Sequence, residues 1–260
     1  MRSGNPVLKE SVFKGVSFRD EGAVITAPMT IQGVMAKTAI LLLAVTAAAS
    51  FTYQKAYATG FPAAWVIGGV IGALILTFVI SFKPKLAPML AVPHALLEGL
   101  FLGGISAMYA MTSSGADGGP IPGVGGSIVL QAVILTFAVA FAMLGLYAFR
   151  IIRVTERLRS IVIAATAGIA LFYVIAFVLN MFGVGVPLIH SSGTMGIAFS
   201  VFVVGLAAFN LLLDFDVIER GAKSGAPKWM EWFGGFALIV TLVWLYIEIL
   251  RLLSKLQSRD

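Results

Sequence analysis

Apolar residues run in seven long stretches along the chain, at 34–54, 61–82, 86–111, 127–149, 160–182, 194–213 and 232–250. Each holds roughly twenty residues, the length at which a helix rising about 1.5 Å per residue crosses about 30 Å of hydrocarbon. Runs this long and this continuous predict an all-α integral membrane protein of about seven transmembrane helices. The second and fourth stretches are uncharged, the first is broken only by Lys37, and the third carries His94 and Glu98. Between the third and fourth, 112–126 is rich in glycine, serine and proline and reads as an external loop. The expected organisation is a tail over 1–33, a membrane domain over 34–254 and a short tail over 255–260.

Composition agrees with that pattern. Hydrophobic residues make up 59% of the 260 positions and charged residues 12%, against about a quarter charged in soluble domains. The formal charge of +6 does not point to nucleic acid, because the basic residues sit in short clusters between apolar runs, where they orient loops toward the cytoplasm. Arg2, Lys9, Lys14, Arg19 and Lys37 precede or open the first stretch. Lys83 and Lys85 follow the second, Arg150, Arg153, Arg157 and Arg159 join the fourth and fifth, and Arg220, Lys223 and Lys228 join the sixth and seventh. This alternation places the N terminus in the cytoplasm, and residues 1–30 have no apolar signal-peptide region. Arg251, Lys255 and Arg259 break it, since seven crossings put the C terminus outside. A re-entrant last segment bending at Gly234 and Gly235 is the alternative to a full crossing.

Ionisable groups at membrane depth cost roughly 2.5–3.5 kcal/mol each on insertion scales, so each needs a reason. His94 and Glu98 lie four apart on one helical face, either as a proton-sensitive pair or as bonds to neighbouring helices. Asp214, Asp216 and Glu219 end the sixth stretch. Asp216 and Glu219 read as a solvated helix end, whereas Asp214 shares a face with Asn210 and is the acid to expect within the bundle. Glu248 either pairs locally with Arg251 or turns inward to Asp214, where two close carboxyls share a proton.

Enzyme chemistry is not expected. The absence of cysteine excludes a thiol nucleophile and thiolate metal sites. Ser106 has no nucleophile setting, His190 falls in a loop, and two isolated histidines give no metal-ligand set. No cofactor is implied. Small-residue runs at Gly68, Gly69, Gly72, Gly103 and Gly104 read as points of close helix approach, and Trp244 and Tyr246 as packing.

Four segments together resemble the transmembrane Bax inhibitor motif family, in its bacterial branch with a longer N-terminal tail. They are Arg2-Ser-Gly-Asn-Pro-Val-Leu8, Ala95-Leu-Leu-Glu-Gly-Leu-Phe-Leu-Gly103, Leu213-Asp214 and Trp244-Leu-Tyr-Ile-Glu-Ile-Leu-Arg251. The resemblance implies six helices around a central C-terminal seventh, in a bacterial plasma membrane, and a pH-dependent calcium leak. It further implies a hydrogen-bonded acid pair that gates the pore and contacts calcium in passage, which by position is Asp214 and Glu248, with Lys83 or Lys85 as the nearby basic residue. Two departures stand out: Glu248 is one methylene longer than the aspartate of many members, and a lysine lacks the bidentate grip of an arginine. The remaining readings are a regulator that binds other membrane proteins without transporting, and a proton-coupled solute carrier using His94 and Glu98.

Overall fold

The computed structural model describes residues 28–112, 124–183 and 193–258. Among them are seven helices long and apolar enough to cross a membrane, and no sheet. They are α1 (Ile31–Thr59), α2 (Ala63–Phe82), α3 (Ala87–Thr112), α4 (Val124–Ala148), α5 (Glu156–Met181), α6 (Thr194–Lys223) and α7 (Met230–Gln257). Local chemistry sets several ends. Thr30 caps α1 by accepting from Gly33 N, and Thr155 caps α5 by accepting from Leu158 N, each satisfying a backbone donor that the helix leaves open. Gly60, at φ +83°, ends α1 in a conformation that side chains disfavour.

The end of α6 differs from the sequence expectation. The apolar run of α6 stops at Leu213, yet the helix continues to Lys223. Ion pairs one turn apart, Asp216 with Arg220 at 3.0 Å and Glu219 with Lys223, line this extension, and its two basic residues in the last turn complement the helix dipole. The re-entrant alternative for the last segment fails, because α7 is one unbroken helix from Met230 to Gln257. Gly234 and Gly235 serve packing instead of a bend: a Cβ on them would lie 3.2 Å from Val34 Cγ1 and from Thr38 N of α1.

The chain forms two compact units, Met1–Met108 with Leu213–Thr241 and Tyr109–Leu212 with Leu242–Asp260. In the first, α3 meets α1 and α2 through glycine. A Cβ on Gly103 would fall 2.1 Å from Ala49 O, one on Gly99 2.4 Å from Val45 O, and one on Gly69 2.7 Å from Leu97 O. These are backbone contacts that only small residues permit. The same unit clasps the entry of α1 to the turn before α7, through Met29 N donating to Ala226 O at 2.7 Å and a bridge between Pro28 and Pro227.

In the second unit Phe172, Tyr173 and Phe199 pack edge to face, and Asn210 donates to Thr166 Oγ1. Lys255 is buried, its ammonium bonded to Gly196 O and Ser200 Oγ at 2.9 Å each.

Burial separates the helices. In the apolar windows of α6 and α7, 56% of residues are buried, against 22% or less in α1, α2, α4 and α5. The outer helices turn side chains such as Phe78, Phe141 and Phe177 outward, as a lipid-facing surface requires. The protein is therefore a multi-pass membrane protein whose polar chemistry is concentrated on α3, α6 and α7.

Candidate functional site

Each buried acid has side-chain neighbours in its own compact unit. Glu248, in the second unit, is 1% exposed. Its Oε1 accepts from Tyr173 Oη of α5 at 2.8 Å and from Trp244 Nε1, one turn earlier on α7, at 3.3 Å. Arg251 NH1 lies 3.3 and 3.2 Å from its two oxygens. The same NH1 donates to Tyr173 Oη at 2.6 Å, with the guanidinium 5.1 Å from the tyrosine ring centre. The local Glu248–Arg251 pair is thus formed, and Tyr173 joins it by accepting from the cation and donating to the anion. A carboxylate so placed has its charge balanced and its lone pairs used, as burial demands.

Asp214, in the first unit, is fully buried. Thr241 Oγ1 donates to its Oδ2 at 2.6 Å and also lies 3.3 Å from Ala237 O. Because α6 runs on to Lys223, Asp214 is interior to its helix and not at its end. Asp216 corrects an expectation: it is not solvated but 7% exposed, held by its ion pair with Arg220.

His94 and Glu98 share a face of α3, as their spacing predicts. His94 is 1% exposed; its Nε2 lies 2.9 Å from Thr77 Oγ1 of α2, and its ring meets Phe236 of α7 edge to face at 4.7 Å. Its Nδ1 faces Glu98 Oε2 at 3.7 Å, beyond hydrogen-bond reach, and among the described residues neither atom has a hydrogen-bond partner. Lys83 and Lys85 are exposed at the end of α2, Lys83 donating its backbone N–H to Val79 O. His190 lies outside the described residues.

Sequence reasoning passed over several members of these clusters. Glu231, at the start of α7, is 1% exposed and accepts from Thr30 N, Thr30 Oγ1 and Lys37 Nζ at 3.1, 3.0 and 2.9 Å. Tyr173, Thr241 and Thr77 are hydroxyls inside apolar helices. A polar tip in such a run is the available signal, but it does not name the partner. Among the described residues, no three His, Asp or Glu side chains converge as a metal site.

A family model described as Bax inhibitor 1 like matches residues 5–258. No curated protein and no solved structure matches the chain.

Proposed function

The chain belongs to the Bax inhibitor 1 like family, and from that premise we propose that it is a pH-sensitive calcium leak channel with Asp214 and Glu248 as its gating acids. The supporting observation is that both carboxyls are buried, on the two helices with the largest buried share, where an ionised side chain without a task is costly. Calcium is a hard cation that takes oxygen ligands, and these carboxylates with backbone carbonyls supply them in passage. Each acid is held by donors that depend on its charge: Thr241 on Asp214, and Arg251 and Tyr173 on Glu248. Protonation removes that charge and weakens the hold, so the leak grows as pH falls. Asp216, Lys83 and Lys85 set the field near one end of the path. The N terminus is cytoplasmic in this reading, from the placement of basic residues along the chain, and the membrane is a bacterial plasma membrane.

One observation favours a second reading. Glu248 is fully supplied by Tyr173, Trp244 and Arg251, as a purely structural carboxylate is. In that case the protein is a regulator that binds other membrane proteins and moves no ion. Calcium entry into dye-loaded proteoliposomes separates the two: a leak that grows with acidity supports the channel, whereas sealed vesicles together with a crosslinked partner support the regulator.

A further inference from the structure

Thr77, His94 and Glu98 lie in the first unit, and neither reading above needs them. Three helices build their surroundings: Thr77 comes from α2, His94 and Glu98 from α3, and Phe236 from α7. Among the described residues Glu98 is the titratable group that His94 faces, at 3.7 Å.

The hydroxyl of Thr77 fixes the imidazole. Buried helical threonines in this protein turn their O–H back to the carbonyl one turn earlier, as Thr38 does to Val34 O, Thr52 to Ala48 O and Thr136 to Ala132 O. Among the described residues Thr77 makes no such bond; its hydroxyl pairs with His94 Nε2. Its hydrogen therefore goes to Nε2, which leaves the imidazole hydrogen on Nδ1, aimed at Glu98 Oε2. Those two atoms stand 3.7 Å apart, and among the described residues neither has a hydrogen-bond partner. Two buried polar atoms left facing each other at this distance are rare in folded proteins. The arrangement is a chain from hydroxyl to imidazole to carboxyl. Glu98 keeps 11% of its side-chain surface exposed.

We propose that Thr77, His94 and Glu98 form a proton-binding site inside the bilayer, which takes up one proton independently of Asp214 and Glu248. Before uptake the cluster holds a neutral imidazole and a carboxylate, with one negative charge. The proton comes from water and adds to Glu98, giving a carboxylic acid beside neutral His94. Alternatively it adds to His94 Nε2, in which case the Thr77 O–H turns away and its oxygen accepts. Both products are neutral overall, and only O–H and N–H bonds change. In the form with the proton on His94, the 3.7 Å gap closes to a charge-assisted hydrogen bond of about 2.7–3.2 Å. The proposal does not rest on the calcium leak.

The chain has two histidines, so full-length protein in nanodiscs, labelled with 15N-histidine, gives two imidazoles, and His190→Gln leaves that of His94 alone. The expected result is an alkaline form with hydrogen on Nδ1, then one titration step in the His94 signals between about pH 5 and about pH 9. That step disappears in Glu98→Gln and persists in Asp214→Asn and Glu248→Gln. Thr77→Val shifts the tautomer balance toward Nε2, and Thr77→Ser restores it. His94 signals that are constant across the range, measured on protein with an intact cluster, overturn the proposal even if Glu98→Gln fails to fold. A step that survives in Glu98→Gln overturns it as well.

Discussion

Replacing Gly103 by alanine puts a methyl group where the structure has backbone. The new Cβ would lie 2.1 Å from Ala49 O and 2.8 Å from Ala49 C, whereas ordinary contact begins near 3.4 Å. A carbonyl within a helix cannot swing aside, so α1 and α3 must separate by more than an ångström. Gly99, one turn earlier, is also against α1, with its Cβ position 2.4 Å from Val45 O, so rolling the helices does not relieve the clash. Overpacking of this kind costs about 1–3 kcal/mol. Against it stands the gain of about 0.5–1 kcal/mol that alanine brings over glycine in a helix. The net expectation is a loss of up to about 2.5 kcal/mol. Gly68→Ala is the control of opposite sign, since nothing lies within 4 Å of its Cβ position, and it should gain about 0.5–1 kcal/mol. Thermal unfolding in detergent, followed by circular dichroism, reads both. Equal stability changes for Gly103→Ala and Gly68→Ala would refute the reasoning, because they would show that α1 and α3 do not meet through Gly103.

Further predictions concern the buried charges. Arg251→Gln leaves the Glu248 carboxylate without its cation and should destabilise by roughly 2–3 kcal/mol, at or just below the about 3–5 kcal/mol for broken buried pairs because Arg251 is partly exposed. Adding Glu248→Gln to that chain should recover part of the loss, and a double-mutant cycle that shows no coupling would contradict the pairing. Glu231→Ala strips Thr30 and Lys37 of their acceptor. It should cost about 1–3 kcal/mol and speed hydrogen exchange at Thr30 and Gly33, and unchanged exchange there would remove Glu231 as the anchor of α1.

Long apolar runs made the seven helices legible, because the bilayer sets their length and no other element satisfies so much backbone in hydrocarbon. The end of α6 was not legible. Five of its last ten residues are charged, and the i to i+4 ion pairs along them, Asp216 with Arg220 and Glu219 with Lys223, do not register as hydrophobicity. Gly234 and Gly235 look like a hinge when read along the chain, whereas their purpose is the approach of α1, which lies some two hundred positions away. The site was legible to the level of which residues carry charge. Asp214, Glu248, His94 and Glu98 stand out as ionisable groups in apolar surroundings, and the i to i+3 spacing of Glu248 and Arg251 already offered their pairing. Partners from other helices were not legible, because nothing local marks them. Tyr173 lies 75 residues from Glu248, and Thr30 lies 201 from Glu231. Tertiary packing alone brings these together.

The proposed leak is tested most directly by calcium entry into dye-loaded liposomes between about pH 5 and about pH 8, for the wild type beside Asp214→Asn and Glu248→Gln. The account predicts a wild-type flux that rises as pH falls. It also predicts that each substitution, by fixing the neutral form of its side chain, holds the flux high across the range. Vesicles that stay sealed to calcium at every pH, or a pH dependence that both variants keep, would contradict it.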